Sequence, residues 1–474
     1  MEAPFSPVET ALGGLLEDFA RAHHIPGLSF GLVSEGAPLW FKGVGLADRA
    51  AERRVTARTR FRIASMTKNT TALAILMLRD AGKVALDAPV GTYVPELADW
   101  PLPTRDSRAV TLRDLLTHSA GLVTDDPWGD RQLGIAPQVF SRLLAGGNLF
   151  AQAPGMAFEY SNLGYAMLGR VITNVARQRY QDYIASALFR PLGMADTTFD
   201  FEAAPAAQRA IGYRWAAERW SPEAAEADGE FGAMGGMVTT ADDYARYVAI
   251  LLSAWPPRDV AESGPVKRAT IRELGLSHGF PLPAATRDAG GKTITVSGVY
   301  GYGMVHSLDP ILGRTLHHRG GLPGYGSHFL VSPDTGIGIF SFANVTYAEM
   351  DRLNVGAAQI LHDAGLWQRR PRRLSKALKD AVALAMRFYV DGHVTESELL
   401  SDNLLLDTPA VERNDAIAAL KQRLGDGTLA RIEPQHDLAG RFFAACANGM
   451  LAGTVILTPG PRPRIQTLRF DAQA

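Results

Sequence analysis

Apolar and polar positions alternate along this chain in patterns that change several times. Residues 9–24 repeat apolar positions at helical spacing and predict an amphipathic helix. Leu28 to Val33 and Leu39 to Gly45 are short apolar runs joined by Ser34-Glu35-Gly36-Ala37-Pro38, which predicts a hairpin. A polar stretch then enters the run Asn69 to Leu78, and this predicts a buried helix starting near Ser65. From about 85 to 215 the pattern is helices and loops, punctuated by Pro and Gly. Residues 163–172 predict one of those helices. Residues 240–253 predict another, started by Thr240 with Asp243 three positions on. Residues 254–296 are polar and interrupted and are expected to form a loop at the mouth of a cleft. Strand-like runs follow at Gly301 to Leu308, Arg314 to His318, Ser327 to Val331 and Ile337 to Phe342, separated by turn formers such as Ser332-Pro333-Asp334-Thr335-Gly336.

The Arg-rich stretch Trp367 to Arg373 breaks the pattern around Pro371. It suggests a linker over 367–375, between a domain at 1–366 and a small α+β domain at 376–474. In the second domain, residues 376–392 and 409–424 predict helices. Leu438 to Cys446, Met450 to Leu457 and Arg464 to Phe470 predict strands, with Asn448-Gly449 as a two-residue hairpin turn. The first domain is expected to be α/β (α+β): one antiparallel sheet flanked by helices, plus an all-helical region. The accessory domain shows no catalytic motif, and packing, dimerisation or shaping of the cleft are its expected roles.

Composition narrows the function classes. The 474 residues are 46% hydrophobic and 20% charged, with 48 basic against 49 acidic side chains and a formal net charge of −1. Such a chain can bury a large core. No global basic field points to nucleic acid. Cys446 is the only cysteine, so no disulfide can close within the chain and C-x-x-C metal sites are ruled out. No H-E-x-x-H or ligand cluster suggests a metal, and no cofactor is expected. The first residues lack the basic and apolar regions of a signal peptide, and the longest apolar run is far shorter than the roughly 20 residues that span a bilayer. A cytoplasmic protein is expected, without membrane or nucleic-acid partners, acting on a small molecule or short peptide. A processed periplasmic form would have the same sequence, and a homodimer is an open option.

Three motifs carry chemistry. Ser65-Met66-Thr67-Lys68 is the only S-x-x-K, Tyr160-Ser161-Asn162 the only Y-x-N, and His318-Arg319-Gly320 the only [HK]-x-G. On a helix, residues three apart share a face, so Lys68 would lie beside the Ser65 hydroxyl. A serine becomes a nucleophile when a neighbour takes its proton. An amine can do so when burial and nearby positive charge lower its pKa.

In order and rough spacing the three motifs resemble those of the penicillin-recognising serine hydrolases. Phe61 to Lys68 resembles the entry to that superfamily's nucleophile helix. Thr111 to Leu122, containing Leu115-Leu116-Thr117-His118-Ser119-Ala120-Gly121-Leu122, is similar to a segment of the class C β-lactamase branch. Pro191 to Phe199 and His317 to Tyr325 resemble two further blocks of it. The likeness runs from about residue 8 to 365. It implies a serine hydrolase with Ser65 as the acylated nucleophile, and with Lys68 and Tyr160 sharing proton transfer. It also implies substrate contacts from Asn162, His318, Gly320 and Gly321, with the Gly321 and Ser65 N–H groups forming an oxyanion hole.

The branch holds β-lactamases, D-Ala-D-Ala peptidases, D-aminopeptidases and family VIII esterases, and the shared fold does not choose among them. His318 departs from the lysine usual in the first two, which weakens the case for a carboxylate-terminated substrate. A peptidase or amidase on small or D-configured peptides is expected first and a carboxylesterase second. β-Lactamase activity or a non-catalytic ligand-binding relative comes behind both. Residues outside the motifs are expected to be structural: His118 packs or hydrogen-bonds, His317 faces away from the site, Glu159 is solvated, and Gly232 to Gly236 is a turn near the cleft.

Overall fold

Val8, Leu12, Leu16 and Ala20 recur every four residues and are all buried, which fixes the helix Ser6–Ala22 against the sheet behind it. The structure is a computed structural model that describes residues 6–146, 149–276, 278–287 and 293–473. Two compact units divide the chain, Met1–Arg369 and Arg370–Ala474.

The first unit is built on an antiparallel sheet. Its order is Arg53–Arg54, Ala37–Asp48, Gly27–Ser34, Ile337–Ala343, Tyr325–Ser332, Gly313–Leu322, Val305–Asp309, Thr293–Tyr300 and Pro281–Arg287. The expected N-terminal hairpin therefore pairs directly with the late strands, Leu28 opposite Ala343 and Ser34 opposite Ile337. Tyr325–Ser332 and Ile337–Ala343 are buried along their whole length. They are covered on both faces, so they carry near-continuous apolar runs where a half-exposed strand would alternate. Leu12 and Leu16 pack with Leu353, Ala357 and Leu361 of the helix Met350–Asp363 on one face. Helix Ala241–Leu252 covers the other, and there Tyr244 meets Phe340 and Phe342.

The helical region contains Leu112–Leu116, Pro137–Ala145, Asn162–Ala176 and Tyr180–Ile184. Thr111 and Asp114 form a reciprocal capping box, and Arg108 clamps the Asp114 carboxylate at 2.6 and 2.7 Å. Thr240 caps the next long helix as its sequence suggests, accepting from the Asp243 N–H at 3.1 Å.

The stretch 254–296 differs from the expected loop. It contains the helix Arg268–Leu274 and the strands Pro281–Arg287 and Thr293–Tyr300, which extend the sheet edge. Pro281–Arg287 is the edge strand and pairs with Thr293–Tyr300, which lies between it and Val305–Asp309. Ser277 and residues 288–292 of that stretch lie outside the described residues.

In the second unit an antiparallel sheet runs Gly427–His436, Ala439–Cys446, Gly449–Leu457, Ile465–Gln473. Leu378, Val382, Ala385 and Tyr389 of helix Lys376–Asp391 share a core with Phe442, Leu451 and Val455. The strand Gly427–His436 is mostly exposed, which is why it escaped the apolar pattern.

Candidate active site

Ser65 sits in a 3-10 turn, Ala64–Met66, and the α-helix proper begins only at Thr67. The turn requires Ala64 at φ 48°, a left-handed conformation that costs an L-residue free energy and persists only when its surroundings enforce it. Three bonds do so. The Thr67 hydroxyl donates to the Ala64 carbonyl at 2.7 Å and accepts from the Met237 N–H at 3.1 Å. The Ser327 hydroxyl donates to the Ile63 carbonyl at 2.7 Å, joining the turn to the sheet. Gly320 lies against the same turn: a Cβ there would stand 2.4 Å from the Ile63 oxygen and 3.0 Å from the Ala64 Cβ.

Lys68 follows in the first turn of the helix Thr67–Asp80 and is wholly buried. Its Nζ lies 2.9 Å from Ser65 Oγ, 2.7 Å from Asn162 Oδ1 and 2.9 Å from the Met234 carbonyl oxygen. The last two are acceptors only and hold two N–H groups. The third tetrahedral position of the amine therefore faces Ser65. Burial lowers the Lys68 pKa to about 8, against the opposing pull of Asp126, Asp130 and Asp125.

Asn162 opens the helix Asn162–Ala176. Asp125 caps that helix from a distant loop, accepting from the N–H groups of Asn162 at 2.6 Å and Leu163 at 2.8 Å. The Asn162 amide also donates to Asp126, so the same side chain offers its oxygen to Lys68 and its nitrogen to a carboxylate.

Tyr160 is only partly exposed, and its ring centroid lies 4.9 Å from Lys68 Nζ. Dense surrounding protein raises its phenol well above 10; the Ser65 hydroxyl acts in the opposite direction and does not reverse this. Tyr160 is therefore neutral at ordinary pH.

His318 is brought to the same place, its ring 6.4 Å from that of Tyr160. Both of its nitrogens are engaged within the protein. Nδ1–H donates to the Arg319 carbonyl at 2.6 Å, which leaves Nε2 to accept from the Tyr300 hydroxyl at 2.8 Å. Burial first, and Lys68 second, hold its pKa down to about 3. The imidazole is neutral, and neither nitrogen is left to meet a substrate carboxylate. Gly321 is next to Tyr347: a Cβ at Gly321 would come 2.8 Å from its ring.

The structure thus gathers Ser65, Lys68, Tyr160, Asn162, His318 and Gly320 around one point. His317 turns to the other face and meets the Ser307 hydroxyl at 2.9 Å. Glu159 accepts from the Thr124 hydroxyl and backbone. Met234 was not legible in advance because its main contact is a carbonyl, from the short helix Gly232–Gly235, with its sulfur a more distant 3.9 Å from Lys68 Nζ. Asp125, Asp126 and Tyr300 are far from the motifs in sequence and carry no local signal.

The pattern of the beta-lactamase family matches residues 12–363. The chain belongs to the beta-lactamase family. Among curated relatives, this family member is 28% identical over 391 residues to esterase EstB of Burkholderia gladioli, covering 72% of this chain and 91% of that one. It is 27% identical over 342 residues to protein flp of Staphylococcus aureus (strain MRSA252), covering 72% of this chain. The match spans 63% of the length of that flp protein. A solved structure, the octameric penicillin-binding protein homologue from Pyrococcus abyssi, superposes with a TM-score of 0.62 over 97% of this chain and 99% of that one, at 19% identity. That likeness is one of fold. The family is one of serine hydrolases, which supports hydrolase activity. Among the described residues no helix is long and apolar enough to cross a membrane.

Proposed function

We propose that this protein is a serine hydrolase that works through an acyl-enzyme on Ser65, with Lys68 as the base. The observation that carries the reading is the set of contacts around Lys68. Two acceptor-only partners fix two N–H groups, and a pKa near 8 makes the neutral amine accessible at mildly alkaline pH, with its lone pair directed at the Ser65 hydroxyl.

Each residue then has a step. Lys68 takes the Ser65 proton as Oγ attacks the carbonyl carbon. The tetrahedral oxyanion is received by the backbone N–H groups of Ser65 and Gly321. Tyr160, a neutral phenol, donates its proton to the leaving group and is reprotonated from Lys68. Water then attacks the acyl-enzyme by the reverse proton path and frees Ser65. Asn162, expected to touch substrate, is fully buried with its oxygen on Lys68 and its nitrogen on Asp126, so its part is to orient Lys68, and Gly320 lets the strand approach closely.

A leaving amine needs a proton before it can depart, and a phenol held neutral beside the nucleophile supplies one. This favours a peptidase or amidase on small peptides, D-configured ones included. His318 has no free nitrogen and no charge, so a C-terminal carboxylate is not the group recognised there. The second reading is a carboxylesterase, favoured by the similarity to esterase EstB across most of that protein. Self-association is part of the proposal, since the Pyrococcus abyssi homologue is octameric; light scattering on the purified protein would read it directly.

A matched p-nitroanilide and p-nitrophenyl ester of one small acyl group tests the assignment, with Ser65→Ala as blank. Anilide turnover by the wild type supports the amidase reading. Ester turnover alone replaces it with the esterase. Undiminished turnover by Ser65→Ala would refute both. Lys68→Ala and Tyr160→Phe should each lower the acylation rate about a hundredfold or more.

A further inference from the structure

His118 is only 2% exposed and belongs to none of the steps above. It nevertheless touches the chain on both sides of Tyr160. Its carbonyl oxygen accepts from the Glu159 N–H at 2.8 Å, and its Nδ1 accepts from the Ser161 N–H at 3.1 Å. Its ring lies 4.3 Å from the Tyr160 ring, tilted by 37°. To present carbonyl and side chain to the same segment, the backbone of His118 takes φ 55°, a left-handed conformation unfavourable for a side chain of this size. Since Nδ1 accepts, the ring proton is on Nε2. That nitrogen has no hydrogen-bond partner among the described residues, and the ring stands edge-on to Tyr300 at 4.6 Å. Backbone strain and a buried N–H without an acceptor are both unfavourable, and a residue serving only to fill space would need neither.

We propose that His118 is the positioning residue for Tyr160, clamping Glu159 and Ser161 so that the phenol is aimed at the Ser65–Lys68 pair. This rests on the reading of Tyr160 as the proton carrier. Ser161 is 2% exposed, so water cannot replace Nδ1 as the acceptor for its N–H. Without that bond the backbone directly after Tyr160 is held only through the Asn162 N–H on Asp125 and the Glu159 bonds before it, and the phenol between them shifts. A displacement of roughly an ångström in a reacting group lowers rates by up to about a hundredfold.

Two substitutions separate the clamp from the ring. Asparagine places its Oδ1 the same number of bonds from Cβ as histidine's Nδ1 and tolerates positive φ, so His118→Asn keeps the acceptor and loses the ring. His118→Phe keeps a ring and loses the acceptor. We expect His118→Phe to lower kcat about ten- to a hundredfold with little change in KM, and His118→Asn to stay within a few-fold of wild type. We also expect the double variant His118→Phe/Tyr160→Phe to be no slower than Tyr160→Phe alone, because positioning is irrelevant once the hydroxyl is gone.

Equal losses in His118→Asn and His118→Phe would overturn the clamp. So would losses that multiply in the double variant, which would make His118 a general structural residue. Wild-type activity in His118→Phe beside a crippled Tyr160→Phe would overturn the inference while leaving the role of Tyr160 intact. A fully active Tyr160→Phe would remove the reading on which the inference rests.

Discussion

The Tyr347 hydroxyl donates to the Asp130 carboxylate at 2.9 Å, joining the loop after the last strand of the large sheet to the helical region that carries Asp125 and Asp126. Burial, with Asp126 second, raises the Asp130 pKa to about 6. Above that pH its negative charge helps keep Lys68 protonated. The two groups therefore titrate as a linked pair. If neutral Lys68 is the base, kcat/KM rises with pH and levels off above about 8. Asp130→Asn keeps an acceptor for Tyr347 but removes the charge that holds the Lys68 proton, so the rising limb should move to lower pH. A pH–rate profile of both proteins checks this. A limb that moves upward or not at all would detach Asp130 from Lys68.

Gly320 allows the strand Gly313–Leu322 to lie against the Ser65 turn with no side chain between them. In Gly320→Ala the new Cβ would meet the Ile63 oxygen and Ser327 Oγ, each at 2.4 Å, and one of these contacts must open. We expect a loss of about 1–3 kcal/mol in stability, as for other overpacked sites, and a larger proportional loss of activity because the turn itself shifts. Urea denaturation and initial rates measured on the same preparation would show both.

How much of this was readable beforehand depends on the kind of residue. Ser65, Lys68, Tyr160, Asn162 and His318 stand in short motifs, and motif order survives in a sequence whatever the fold does between them. The sheet and the helical region were readable from apolar runs, since burial on both faces leaves continuous patterns such as Ile337–Ala343. Met234 acts through its backbone, and Asp125 reaches the helix it caps across 37 residues of chain. Neither leaves a trace in local pattern. The edge strand Gly427–His436 leaves no apolar pattern because its mostly exposed side chains place no demand on hydrophobicity. His318 was expected to contact substrate, and only the contacts of its two nitrogens show that both are already engaged.

Asp125 should matter for stability as much as for the site. It accepts two helix N–H groups at once, so Asp125→Ala leaves both buried donors without their acceptor and frees Asn162 at the end of its helix. A loss of about 1–2 kcal/mol is expected from the missing cap. Lower activity should accompany it, because Asn162 fixes one of the Lys68 N–H groups. Thermal unfolding and kcat/KM on the same protein measure the two effects together.

His318 also makes stability depend on pH in a direction that can be worked out. In the unfolded chain it protonates near 6.5, whereas burial keeps it neutral in the folded protein down to about 3. Between those values the unfolded state binds the extra proton, so stability falls as the pH is lowered below about 6.5. The slope from this group approaches about 1.4 kcal/mol per pH unit. His318→Gln, which cannot titrate, should flatten the dependence between pH 6 and 4. An unchanged slope would mean that His318 is protonated in the folded protein.

The acyl-enzyme on Ser65 is the claim on which the rest depends, and an active-site label tests it most directly. The protein would be incubated with a fluorophosphonate, its intact mass measured, and the adduct located by peptide mapping, with Ser65→Ala alongside. A single adduct on Ser65 that forms more slowly in Lys68→Ala and is absent from Ser65→Ala is the result expected. An adduct that persists in Ser65→Ala, or one that maps to another residue in a protein that turns over substrate, would contradict it.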